Sequence, residues 1–355
     1  MRFVPDEDHR TYTATVRRLL ADAEPVKAAR AWAAGEHGPG RELWRTLADT
    51  GLTALAMAEE HGGMGWYPPE LASAFVEIGR TGAPGPLVES VALAGALSAG
   101  LTGTAGLTGT AGTSGPAEGE RGLLERLLSG GTLATVAGPA GSYAGSAGSY
   151  AGPAGPYAVD AHLAGAVFVL DGDALLPARA GEVFTSLDPT RRLVRCEAAP
   201  ARSRQPVPAD TARLRALATL LTAAQVLGAG RALLEGSVRY AGQRTQFGRP
   251  VGSFQAVKHQ LADVAIALEF ATPLLYGAAL TVRGDAAADP RDLPAAKLAC
   301  TRAAHLASRV ALQVHGALGY TDEYDLTLLI RKARALRSAW GTASECEAAV
   351  LAATG

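Results

Sequence analysis

The chain has 355 residues, enough for two or three domains and a sizeable core. Its 33 Lys and Arg against 34 Asp and Glu leave a formal net charge of -1, a balance that speaks against nucleic acid or an anionic membrane surface as the main partner. Cys196, Cys300 and Cys346 are far apart and lack CxxC or Cys/His ligand spacing. No metal site is expected from them; they read as buried small side chains in a reducing, cytoplasmic setting. The opening MRFVPDEDHR has no apolar core and no small-residue cleavage site, so no signal peptide is expected. The longest apolar stretch, Ala216 to Gly230, is broken by Thr and Gln and reads as too short to span a bilayer.

From Asp6 to about Gly100 the apolar residues recur three and four apart, the spacing of helices. Leu43, Trp44, Leu47 and Leu52 form one packed face, and Pro68 opens a helix through Leu71, Phe75 and Ile78. Between them, Glu59 to Gly65 (EEHGGMG) reads as a tight turn between helices, its glycines supplying positive φ. Residues 101–119 are a low-complexity Gly/Thr/Ala segment, expected as a mobile surface loop, followed by a short helix at Leu123 to Leu128. A second such tract, rich in Gly, Ala and Tyr, runs from Gly138 to Pro156. Around it the pattern changes to short alternating runs at Thr132 to Ala137, Ala166 to Leu170 and Arg192 to Cys196, the strands of a small β domain.

Ala199 to Pro208 reads as a linker, and four strong helical patterns follow it: Thr211 to Gln243, Ser253 to about Arg283, Leu293 to Gly316, and Asp322 to about Ala353. The second places Phe254, Val257, Leu261, Val264, Leu268, Ala271 and Leu275 along a bundle seam. The chain therefore divides into an N-terminal α-helical domain (1–130), a shortened middle β domain (131–200) and a C-terminal four-helix bundle (211–355).

Three segments carry a specific resemblance. Arg244 to Pro250 reads RTQFGRP and is followed by Phe254-Gln255; Gln313 to Tyr320 reads QVHGALGY; and Ser186 to Arg192 reads SLDPTRR. Together they resemble the acyl-CoA dehydrogenase family, whose R-x-x-F-G, F-Q and Q-x-x-G-G-x-G-Y motifs and strand connection they follow. The resemblance runs from Leu43 to Thr342. It implies a mainly α fold with a small β barrel, and an FAD shared between subunits.

The resemblance makes Arg244, Gln246, Phe247, Gln255, Gln313, Gly316 and Ala317 the cofactor-binding candidates, reaching the pyrophosphate and adenosine of an FAD seated mainly on a neighbouring subunit. A guanidinium fork suits that role because it matches phosphate oxygens bidentately. Ala317 stands where the family has a second glycine. Read alone, Arg244 is equally a solvated helix-end cation favoured by the dipole, and Phe247 a packing anchor. His315 reads as a packed or capping residue rather than a catalytic one.

The family removes an α-proton with a carboxylate while a hydride passes to the flavin. One base position is the Glu of an E-G-T turn, where this chain has Trp340-Gly341-Thr342. The other lies 26 residues before the motif Arg and falls on Ala218 and Thr219. Trp340 and Ala218 thus occupy the two positions, and indole offers only a donor and an apolar face. Glu235 and Glu269 match neither position and read as solvated helix residues. The family's flavin-holding T-E-x-x-A-G-S-D loop is replaced by the Gly/Ala/Tyr tract.

What is kept and what is missing resembles the non-catalytic subunit of actinobacterial α2β2 acyl-CoA dehydrogenases that act on CoA thioesters of steroid side chains. The resemblance implies a cytoplasmic assembly with a homologous catalytic subunit that binds most of the acyl-CoA, with two FAD per tetramer. Two alternatives stay open: a stand-alone flavoprotein with other chemistry on the same scaffold, and a flavin-free structural or regulatory binding protein.

Overall fold

The computed structural model describes residues 6–105, 116–138, 156–199, 205–285 and 289–354. In chain order its elements are α1 (Glu7–Asp22), α2 (Pro25–Ala34), α3 (Gly38–Asp49), α4 (Pro68–Thr81), α5 (Leu87–Ala105), α6 (Pro116–Leu128), β1 (Ala134–Ala137), β2 (Tyr157–Val159), β3 (Ala166–Asp171), β4 (Ala174–Phe184) and β5 (Leu193–Ala198). Then come α7 (Thr211–Gln243), β6 (Thr245–Gln246), β7 (Arg249–Pro250), α8 (Gln255–Arg283), α9 (Asp292–His315), α10 (Leu326–Leu336) and α11 (Ala343–Ala352). The fold is mainly helical with a small, nearly closed sheet, the architecture the motifs implied.

Two compact units result, and they do not follow chain order: Arg30–Leu71 with Pro84–Ala218, and Met1–Ala29 with Ala72–Ala83 and Thr219–Gly355. In the first, Leu43, Trp44, Leu47 and Leu52 are buried as their spacing predicts. The Trp44 indole donates to the Thr132 carbonyl at 2.7 Å, tying α3 to the chain entering β1. The sheet has the order β1-β3-β4-β5-β2, with β1 and β3 parallel and the other pairs antiparallel. Its inner face is built from small residues, Ala137, Ala158, Ala161, Val194 and Cys196. The Ser186–Arg192 connection is anchored by Asp188, fully buried, whose carboxylate accepts from the Thr190 amide at 2.9 Å and hydroxyl at 2.7 Å.

In the second unit α4 crosses α7 with almost no side chain between them. A Cβ on Gly79 would lie 2.0 Å from the Gln225 carbonyl oxygen, and one on Gly228 would lie 1.9 Å from that of Val76. Only glycine permits this approach, which fixes the path of the long helix that ends at the RTQFGRP turn.

Several expectations are corrected. Helix takes both ends of the 101–119 segment, because Leu101 is buried on α5 and Pro116 opens α6 at its first turn; residues 106–115 lie outside the described residues. So do residues 139–155 of the Gly/Ala/Tyr tract and 200–204 of the linker. The fourth C-terminal pattern is two helices, α10 and α11, so the C-terminal region has five α-helices among the described residues rather than four. Finally, α7 and α8 are each long and apolar enough to cross a bilayer by length and composition. The polar residues that interrupt the apolar run of α7, Thr219, Thr222 and Gln225, are buried with it.

Candidate cofactor edge and the vacated base positions

The RTQFGRP turn is a two-residue hairpin. The Arg244 amide donates to the Tyr240 carbonyl at 2.8 Å, closing α7, and β6 then pairs with β7 through Thr245↔Pro250 and Gln246↔Arg249. Its central residues, Phe247 and Gly248, have φ of 53° and 76°. Positive φ at both suits the right-handed twist of the strands and is unfavourable for a side chain as bulky as Phe. Phe247 is nonetheless 91% exposed, lying edge-on to Phe254 at 6.2 Å between centroids. It is no packing anchor within this chain. Arg244 is exposed and has no carboxylate partner among the described residues.

The other candidates gather at the same end. Tyr240 stacks on His315 at 4.3 Å, which places the end of α7 beside the end of α9. The helices α8 and α9 run antiparallel: the Thr281 hydroxyl donates to Asp292 at 2.7 Å, and the Cys300 thiol lies 4.0 Å from the Ala271 carbonyl. Carried back along both helices, that register sets Gln255 level with Gly316. Gln255, Gln313, Gly316 and Ala317 are all exposed there. The fold thus assembles a free guanidinium, side-chain amides and an aromatic ring on one open edge, a donor set that fits a phosphate and a purine.

His315 is structural, as its context in the sequence suggested. It is 4% exposed, with Nδ1 2.7 Å from the Ala311 carbonyl and Nε2 3.1 Å from the Tyr324 hydroxyl. Burial holds its pKa below the ordinary value, with the Ala311 hydrogen bond opposing. The three thiols are likewise inert: burial pushes Cys196 and Cys346 up to about 11 and Cys300 to about 12.

The two base positions meet. The Thr219 hydroxyl donates to the Trp340 carbonyl at 3.3 Å, and Ala218 beside it is fully buried. Trp340 and Gly341 have φ of 50° and 119°, and Thr342 then caps α11 in a reciprocal box with Glu345. On the other side, the buried Lys297 ammonium donates to the Leu336 carbonyl and the Thr301 hydroxyl, each at 3.2 Å, and so closes α10. Capping therefore fixes from both ends the turn that carries Trp340. Glu235 lies four turns farther along α7, about 24 Å away by helical rise, and pairs with Arg80 at 2.8 Å. Glu269 is exposed.

Sequence reasoning missed a cavity of about 520 Å³ lined among others by Glu77, Arg80, Glu235, Arg239, Tyr240 and Gln243. Glu77 is 4% exposed and held by Arg17 through two hydrogen bonds of 2.8 and 2.9 Å. The only advance signal was the Glu77/Arg80 spacing on α4, which is common on any helix.

The acyl-CoA dehydrogenase N-terminal domain matches residues 6–105 and the C-terminal domain residues 216–354. The acyl-CoA dehydrogenase IpdE2 of Mycobacterium tuberculosis is 30% identical over 93% of this chain and 92% of its own length. The chain belongs to the acyl-CoA dehydrogenase family. Among solved structures, the ChsE4-ChsE5 complex from Mycobacterium tuberculosis is 25% identical, with a TM-score of 0.75 over 98% of this chain and 97% of the matched one. The Tcur3481-Tcur3483 steroid acyl-CoA dehydrogenase, at 22% identity and TM-score 0.75 over 98% of both chains, shares the fold. Homologues in the family bind FAD.

Proposed function

We propose that this chain is the non-catalytic subunit of a heterotetrameric, cytoplasmic acyl-CoA dehydrogenase and completes the FAD site of a homologous catalytic subunit. The carrying observation is the contact between Thr219 and Trp340, which brings the two base positions together with no acid at either. Groups suited to a neighbour's cofactor stand exposed on one edge instead. The similarity to chains of a two-protein complex and of a steroid acyl-CoA dehydrogenase supports a heteromer acting on a steroid-type CoA thioester.

Bound FAD supplies the hydride acceptor for α,β-dehydrogenation. In this reading Arg244 pairs with phosphate oxygens, Gln246, Gln255 and Gln313 offer amide donors and acceptors, and Phe247 seals the edge against water. Gly316 and Ala317 bring backbone to the adenosine. Trp340 can hold no abstracted proton, since its nitrogen lone pair belongs to the ring. The partner provides the carboxylate and binds most of the acyl-CoA.

Co-expression with a homologous subunit, followed by flavin and subunit quantitation, tests this. The expected result is an equimolar, active, yellow complex with two FAD per tetramer, and a colourless, inactive chain when purified alone. A yellow homo-oligomer of this chain that turns over acyl-CoA unaided would overturn it.

A further inference from the structure

A cluster of basic side chains elsewhere in the chain has no assigned role. It lies where the turn after β2 meets the start of α3. His37 and His162 face each other edge to face at 6.3 Å between centroids, and Trp32 meets His37 edge-on at 4.9 Å. Arg41 donates to the Leu163 carbonyl at 2.7 Å and Arg192 to the Ala33 carbonyl at 2.9 Å. Each guanidinium is thereby held in place by a single donor, with four still free. Neither has a carboxylate ion-pair partner among the described residues; Asp160 accepts from the Arg192 backbone amide.

Three further observations point to a ligand. His37 Nε2 is buried without a hydrogen-bond partner in the protein, and so is the Trp32 indole nitrogen, on a side chain that is itself fully buried. Buried polar atoms are seldom left unpaired in this way. The helix α3, twelve residues long, begins beside His37 without a side-chain cap, which leaves the Gly38 and Gly40 amides without a capping side chain at the positive end of the helix; Pro39 between them has no N–H. Arg192 adds to burial in holding both imidazoles below their usual pKa, as Arg41 does for His37 and His37 for His162. A metal cation would be repelled by the guanidinium groups.

We propose that His37, Arg41, His162 and Arg192 form a binding site for a phosphate-sized oxyanion, the arginines supplying charge and the imidazoles supplying N–H donors. The shared chemistry is a phosphoryl group, whether free phosphate or that of a CoA thioester. This inference does not depend on the subunit reading above.

The test uses the full-length chain, with its partner where co-purified. Sodium phosphate is titrated against sodium chloride at matched ionic strength, following thermal unfolding and the imidazole resonances. Phosphate should raise the midpoint saturably and move His37 and His162 toward the protonated form. Arg192→Gln should weaken its apparent affinity on the order of tenfold. His162→Asn, at an exposed position, should weaken it in a chain whose unfolding in chloride is unchanged at a pH above the imidazole range, where His162 is neutral folded and unfolded. A CoA titration separates the sources: the same response at lower concentration, with the same sensitivity to both variants, assigns the site to the thioester's phosphate, whereas response to phosphate alone assigns it to the free ion. Phosphate acting no better than chloride, or acting equally on wild type and both variants, would overturn the proposal.

Discussion

Phe247 and Arg244 are the residues in which the sequence and the folded chain speak most directly to each other. A non-glycine side chain at φ of 53° costs about 1 kcal/mol, and nothing inside the chain offsets it, since the ring is 91% exposed. Asn tolerates that conformation better. Phe247→Asn should therefore stabilise the isolated chain by about 1 kcal/mol in urea unfolding and, if the proposed heteromer forms, weaken its assembly in sedimentation. Arg244→Ala, at an exposed position, should leave the chain's own stability within about 0.5 kcal/mol. It should lower flavin content of the complex on the order of tenfold, the loss expected from one charge-assisted phosphate contact; unchanged flavin would favour a flavin-free role. These residues were legible because a motif names them. Lys297 was not, since a lysine among alanines on a helix gives no hint that it will be fully buried.

At the scale of the element, the turn between α10 and α11 is held from outside by two caps. Lys297→Ala removes the hydrogen bond to Leu336 and leaves a cavity, so it should cost about 3 kcal/mol in urea unfolding, with a change in the Trp340 environment visible by fluorescence. The bounds of α7 were readable to the residue because Pro208 and Asp210 precede it and the apolar spacing never lapses. The split of the last helix was also written in the chain: Thr342 and Glu345 form the signature of a new helix start. A run of helix formers on either side hid it. The strand β4 was illegible for a different reason, since Pro177 and Gly181 interrupt its alternation and its register shifts between Ala180 and Val183. The sheet pairing supplies what the local pattern lacks.

Over the whole molecule, four histidines share one electrostatic tendency. Burial holds His37, His162, His305 and His315 below their ordinary value, and nearby arginines reinforce this at His37, His162 and His305. Each therefore binds a proton more readily unfolded than folded. Stability from this source is complete above the unfolded value, about 6.5, and is lost as pH falls through it toward the depressed folded values. Unfolding free energy measured across that window should rise with pH, and His305→Gln should flatten the slope. The direction of these shifts could not be read from the sequence, because burial and arginine neighbours arise only when distant segments meet. The helix α8 buries Val264, Leu268, Ala271 and Leu275 but leaves Ile266 54%, Phe270 73% and Leu274 46% exposed along its other side. Residues spaced four apart make that side a continuous greasy stripe. Left bare in water, such a stripe favours self-association, so the purified polypeptide should clump more readily as its concentration rises, and replacing Phe270 with a charged residue should suppress this in light scattering.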